Sequence, residues 1–353
     1  MFDCADDITA YHNQKVTLPQ GDRTAMRDRR NANRDRLRDG LREKDKPQPF
    51  AFHKQGSYAM LTMVQHDDNA YDIDDGVYFN KEDLVGDRGG EMSALDARKM
   101  VRDAVDDGSF KTAPEVRQNC VRVFYAAGYH VDMPVYRKRI EKKFWGADEE
   151  IFEIAGSDWM RSDARLVTDW FNHENTSQSP DTDNGRQLRR ITRLIKKYAQ
   201  SRASWKGQIA SGFAVTKLVT ECYRQDGKRE DCALRNTMRA ITNRLNGSLV
   251  VKHPKTPDET ISKGNDDPKF RFLREKLKEA LDKLDVLDST DCTRDEALKA
   301  WDKVFNADFF SARSDSAKAA RSGPAILTSG IIGSLAANTD RAPVRKEGGG
   351  RFA

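Results

Sequence analysis

Cysteine is sparse in this 353-residue chain and widely scattered: Cys4, Cys120, Cys222, Cys232 and Cys292, an odd number with no C-x-x-C pair. That argues against a disulfide framework and a zinc ribbon, and a reducing cytoplasm suits such thiols. Long apolar runs are missing as well. No stretch approaches the roughly 18–20 apolar residues of a membrane helix, and the opening MFDCADDITAYHNQ lacks the basic and then apolar order of a signal peptide, so neither export nor membrane spanning is expected. No G-x-x-x-x-G-K-[ST] segment occurs, which removes the commonest ATPase class. Histidine is limited to six residues, no Ser-His-Asp or Cys-His arrangement emerges, and His53, His66 and His130 read as packed side chains without a catalytic role. No internal repeat marks a solenoid.

Charge, by contrast, is plentiful and nearly balanced. Lysine and arginine number 61 against 56 aspartates and glutamates, a net of +5 that by itself implies no nucleic-acid partner. Its distribution is more telling. Residues 20–46 hold ten basic and six acidic side chains, three or four apart, as on a salt-laced surface helix. Pro47 and Pro49 then punctuate the chain before the apolar stretch PFAFHKQGSYAMLT, where a folded core is expected to begin. Segments 71–79 (YDIDDGVYF) and 122–136 (RVFYAAGYHVDMPVY) are β-rich, with Val131, Met133 and Val135 alternating against His130, Asp132 and Pro134. Between them, residues 91–108 have helical spacing, so the first half mixes helices with a sheet.

The second half changes character: six segments from residue 163 to residue 305 show periods near 3.6, separated by Gly, Pro or Asp-rich breaks. Beyond Ala320 the chain is rich in Gly, Ser and Ala with little periodicity, and reads as a flexible tail. The expected division is a charged helical segment over 1–49, a mixed-sheet core over 50–160, a helical domain over 161–321 and the tail over 322–353. The class is α+β.

The sharpest local feature is Asp72-Ile73-Asp74. Alternate residues of a strand face one side, so the two carboxylates are presented together and require cations. Oxygen-rich sites bridged to phosphates suit Mg²⁺, and Asp132, on a later strand, is the candidate for a third carboxylate. An EF-hand loop fails at once, because placing Gly76 at its sixth position puts Tyr71 at the first. Upstream, Gln55-Gly56-Ser57 precedes the helix-like YAMLTMV, where a glycine lets the backbone approach a ligand and free N–H groups with the Ser57 hydroxyl face an anion. A second charge argument comes from Asn184–Thr220, which carries nine Lys or Arg residues and no acid. Such a segment set against carboxylates on another lobe is what a triphosphate-binding cleft requires. Within it, Arg189, Arg190, Arg193 and Lys197 read mainly as a solvated face.

The order Gly-Ser, spacer, Asp-x-Asp, later strand with one Asp is that of polymerase-beta-like nucleotidyltransferases. In detail the chain resembles the bacterial cGAS/DncV-like group, the cyclic-oligonucleotide synthases of CBASS antiphage defence, in QGSYAMLT (55–62), DIDDGVYF (72–79), CVRVFYAAGYHVDMPVY (120–136), GRQLRRITRLIKKY (185–198) and ASGFAVTKLVTECY (210–223). The resemblance implies a bilobal fold with a cleft between a polymerase-beta-like core and a helical domain. It implies two Mg²⁺ ions, or Mn²⁺, on Asp72, Asp74 and Asp132, the catalytic acids. Gln55, Gly56 and Ser57 would cradle the triphosphate, Arg122 would lie near the nucleotide, and Lys196 and Ser211 would reach its terminal phosphates. ATP and GTP are the expected substrates, 3′,3′-cyclic GMP-AMP the expected product, and a cyclic-nucleotide-activated effector the expected partner, with no membrane and no nucleic acid required. The Gly348–Gly350 run resembles tails whose last residue, here Ala353, is conjugated by a ubiquitin-ligase-like E1/E2 protein. The segment HPKTPDETIS (253–262) resembles a family segment near the nucleotide but suggests no individual contact. Two other readings stay open: a non-cyclising nucleotidyltransferase acting on RNA ends, and an inactive nucleotide- or nucleic-acid-binding module.

Overall fold

Strand β2 (Asp72–Asn80) organises the first lobe, and its alternation decides which side is core. Ile73, Val77 and Phe79 are fully buried on one face, while Asp72, Asp74, Gly76 and Tyr78 occupy the other. In the computed structural model, which describes residues 1–314 apart from 67–70, 87, 88, 126, 127, 144 and 257, β2 is flanked on both edges. On one edge β1 (Ala51–Gln55) runs antiparallel to it. On the other, β5 (His130–Met133) and β6 (Val135–Glu141) run parallel to it in one unbroken register across Pro134, from Asp72 opposite His130 to Asn80 opposite Lys138. Pro134 has no N–H to give, but its carbonyl accepts the Val77 N–H at 2.8 Å, so the ladder continues through the break. Beyond this broken strand, β3 (Glu115–Val116) and β4 (Val121–Phe124) extend the sheet from β5. From β6 it continues through β7 (Glu149–Ala155) and β8 (Trp159–Arg161). The tail over 322–353, with Gly348–Gly350 and Ala353, lies outside the described residues.

Two helices cover the apolar face of the sheet: α2 (Gln20–Glu43) and α4 (Ala94–Val105), the latter started by Ser93, whose side chain accepts the Asp96 N–H. Their Met26, Leu37, Leu41, Ala97, Val101 and Val105 form one core with Ile73, Val77, Phe79, Val121, Val131 and Met133. A second, larger core belongs to the helical lobe: α5 (Ala164–Gln178), α6 (Gln187–Ala199), α7 (Gly212–Cys222), α8 (Glu230–Gly247), α9 (Pro268–Leu284) and α10 (Arg294–Phe305). These match the six periodic segments read from the sequence. Residues 1–49, expected as one charged segment, are divided between the two cores. Helix α1 (Ala5–Tyr11) and the π-turn His12–Val16 bury Ile8, Tyr11 and Val16 in the helical lobe, whereas Leu18 and α2 belong to the sheet. Nor is α2 a simple surface helix, because Arg34 forks onto the fully buried Asp75 of β2 at 2.6 and 2.5 Å.

The helix expected over YAMLTMV is a single turn, α3 (Gly56–Ala59), after which Leu61 turns to φ +55°. The reason lies in α6: the carbonyls of Met60, Leu61, Thr62 and Gln65, which a longer helix would use internally, accept hydrogen bonds from four cations of that helix. No helix among the described residues is long and apolar enough to cross a membrane.

Candidate active site

Four strands each contribute one residue to a single rung: Gln55 faces Asp74, Asp74 faces Asp132, and Asp132 faces Arg122. Asp72 lies one repeat along the same face, opposite His130. With strands about 4.8 Å apart, the three carboxylates named from the sequence share one patch on the side away from the α2/α4 core. Gly56 turns the chain over this patch with φ +60°, and a Cβ there would stand 2.2 Å from Asp74 Oδ2, so only glycine fits. The patch floors a cleft of about 1210 Å³, which Ser57, Asp72, Asp74 and Asp132 line from the sheet side and Lys196 and Phe213 from the helical side.

The electrostatics follow from this crowding. Burial, then Asp132 and Asp72, push the Asp74 carboxyl up to about 7. Asp132 is almost enclosed, and both its oxygens accept from Arg122, Nε to Oδ1 at 2.8 Å and Nη2 to Oδ2 at 2.7 Å. The same guanidinium stands 3.8 Å from Asp72 Oδ1. Arg122, expected near the nucleotide, is thus the bridge between two of the acids. Burial, helped by Asp132, pushes the Cys120 thiol up to about 12, which suits a packed residue and not a nucleophile.

On the facing lobe, Lys196 is buried, donates to the Thr62 carbonyl at 2.8 Å and is pushed down to about 8, first by burial and then by Arg193, against the pull of Asp74. Gly212 keeps room for it, since a Cβ there would be 3.1 Å from Lys196 Cε. Ser211 uses its hydroxyl to cap α7, accepting the Ala214 N–H at 3.2 Å; the cleft lining from this turn is Gly212 and Phe213. Gln55 also differs from expectation. Its amide Nε2 donates to the Tyr78 hydroxyl at 2.9 Å and its Oε1 accepts from Tyr136 at 3.1 Å, so its polar end is held by two stacked tyrosines and not turned toward a triphosphate.

The solvated face expected of Arg189, Arg190, Arg193 and Lys197 is not what the chain builds. Arg190 and Arg193 are buried, Arg190 forking onto Glu230 and reaching Asp181 at 2.8 Å. Arg189, Arg193 and Lys197 donate to the carbonyls of Met60, Leu61 and Gln65 at 3.0, 2.8 and 2.9 Å. Together with Lys196 they fasten the segment between Ser57 and β2 to the helical lobe.

One group escaped the sequence reading, and one segment was noted without contacts. His130, read as merely packed, places Nδ1 3.2 Å from Asp72 Oδ1, beside the acids; its place one residue pair before Asp132 was the available signal. The loop 253–259 supplies His253, Lys255, Thr256 and Glu259 to the cleft wall, with the His253 ring 5.6 Å from that of Phe213. No periodicity announces it.

Among the described residues, no three Asp, Glu, His or Cys side chains are already closed around one metal-sized point. The donor set nevertheless fits a hard divalent cation: three clustered carboxylates, of which Asp74 is raised first by desolvation and then by the other two, carry negative charge that one arginine only partly balances.

Residues 50–136 match the family described as cyclic GMP-AMP synthase DncV-like, nucleotidyltransferase domain. Solved structures with the same fold include Escherichia coli DncV in a 3′-deoxy GTP bound form, at 17% identity and TM-score 0.67, covering 89% of this chain and 99% of that one. The Bradyrhizobium diazoefficiens CD-NTase CdnG in complex with GTP matches at 16% identity and TM-score 0.65, covering 89% and 98%. Vibrio cholerae DncV, a cyclic AMP-GMP synthase in complex with the linear intermediate 5′ pppA(3′,5′)pG, matches at 18% identity and TM-score 0.66, covering 86% and 96%.

Proposed function

We propose, from the match of residues 50–136 to the DncV-like nucleotidyltransferase family, that the chain is one of these enzymes and joins ATP and GTP into a cyclic dinucleotide with release of pyrophosphate. The observation that carries the reading is the gathering of Asp72, Asp74 and Asp132 on one strand face beneath Gly56-Ser57, with the Lys196 cation across the cleft. A ribose hydroxyl attacks the α-phosphorus of a second nucleotide, and the bond to pyrophosphate breaks in line. Asp72, Asp74 and Asp132 would hold divalent ions, Mg²⁺ or Mn²⁺, which when bound supply neutralisation of charge on the phosphates. Gly56 and Ser57 bring backbone N–H groups and a hydroxyl to the phosphates, and Lys196 balances their charge from the other lobe. Asp132 orients the attacking hydroxyl. A cleft of about 1210 Å³ has room for two nucleotides, as successive joining and ring closure demand.

We take 3′,3′-cyclic GMP-AMP as the product and an effector that binds it, in antiphage defence, as the downstream partner. Incubating the protein with Mg²⁺ and each radiolabelled ribonucleotide triphosphate, then following pyrophosphate and identifying products by mass spectrometry, tests this. A phosphatase-resistant cyclic product from ATP plus GTP is expected. A long, exonuclease-sensitive product would assign the chain to RNA-end addition instead, and no pyrophosphate at all would leave a binding module.

A further inference from the structure

The acid cluster carries its own counter-ion. Arg122 sits on β4, one strand beyond Asp132, and its planar fork takes both oxygens of that carboxylate at 2.8 and 2.7 Å while standing 3.8 Å from Asp72. Glu115, the residue across the ladder, is already paired with Arg117 at 2.7 Å. Asp132 is nearly enclosed, with a side chain 10% exposed, whereas the Arg122 side chain is 26% exposed and has room to leave. The fork occupies the two syn lone pairs of the Asp132 carboxylate, those a chelated cation would need, and its fixed positive charge stands against a cation approaching the anti pairs that remain.

We propose that Arg122 is a guard on Asp132: it holds the third acid closed while the site is unloaded, and that acid becomes a metal ligand only when the fork lets go. The arginine is therefore a positioning residue acting through Asp132. The inference rests on the reading that these acids hold divalent ions.

Manganese titration of the full chain, followed by the electron paramagnetic resonance of free Mn²⁺, tests it in wild type, Arg122→Lys and Arg122→Gln. Lysine keeps the charge but cannot form the fork. Both variants are expected to bind the ion tighter than wild type, by about tenfold or more, the scale of a charged hydrogen-bonded pair. Tighter binding by Arg122→Gln alone would reduce the effect to net charge and overturn the guard, as would equal binding by all three proteins. Failure of Mn²⁺ to bind any of the three would sink the metal reading itself, and the guard with it. Should the variants not fold, the wild type decides alone: the Nε–H resonance of Arg122 in a ¹⁵N-arginine-labelled sample is expected to shift when Mg²⁺ saturates the site. An unmoved resonance at saturation overturns the proposal.

Discussion

Asp74 shows how much a single carboxyl group in this site is worth. Its ordinary value of 3.8 is raised to about 7 by burial and by Asp132 and Asp72. A carboxyl raised in the folded state favours folding at low pH, and that stability is lost as pH climbs from about 4 through about 7. In the metal-free protein at pH 8 the cost is on the order of several kcal/mol. Asp74→Asn removes the charge but keeps the shape, so the variant should melt a few degrees above wild type at pH 8 in EDTA, the gap closing toward pH 5, while nucleotide joining is lost. Melting curves across that pH range check it; a constant gap would show that charge is not the cause. On the opposite face of the same strand, Asp75 has the reverse character, fully buried and forked by Arg34. Arg34→Met strands that carboxylate and should cost about 3–5 kcal/mol in urea unfolding, whereas Arg34→Met combined with Asp75→Asn should recover much of the loss.

Helix α6 is the element whose meaning changes most between sequence and structure. Its acid-free cation row was legible, but its direction was not: charge counts register a basic helix, not that Met60, Leu61, Thr62 and Gln65 leave four carbonyls in need of donors. The strands that carry Asp72, Asp74 and Asp132 were legible because alternation of period two is written directly into DID and HVD, and one buried face forces the other to carry the acids. Ser211 and Gln55 were located on the correct elements, yet the groups that hold their side chains, the Ala214 N–H and the tyrosine pair, come from local capping and from residues distant in sequence. The anchoring role of α6 has a measurable consequence. Arg193 is a buried cation pushed down to about 10, first by desolvation and then by neighbouring arginines, so Arg193→Met relieves one cost while freeing the Leu61 carbonyl. Its amide exchange over 60–65 should accelerate by about tenfold or more with the melting temperature moved by only a few degrees. Unchanged exchange in that segment would remove α6 as its anchor.

At the scale of the molecule, the described residues cross between the two cores at three places. Val16 belongs to the helical core and Leu18 to the sheet; Met60 and Val64 pack with the helices while Met63 and Tyr71 return to the sheet; and the exit from β8 leads into α5, where Phe171 is again helical core. The first passage means that the amino-terminal residues stabilise the lobe that is latest in sequence. Deleting residues 1–16 removes Cys4, Ile8, Tyr11 and Val16 from that core and should cost several kcal/mol, lowering helical circular dichroism and exposing α8 and α9 to limited proteolysis before the sheet lobe is cut. Survival of a protease-resistant helical lobe in the truncated protein would refute that dependence. The three passages also constrain motion. One lobe turns against the other only about an axis that all three linkers share, so a stiffening change in any single linker should slow that motion as a whole.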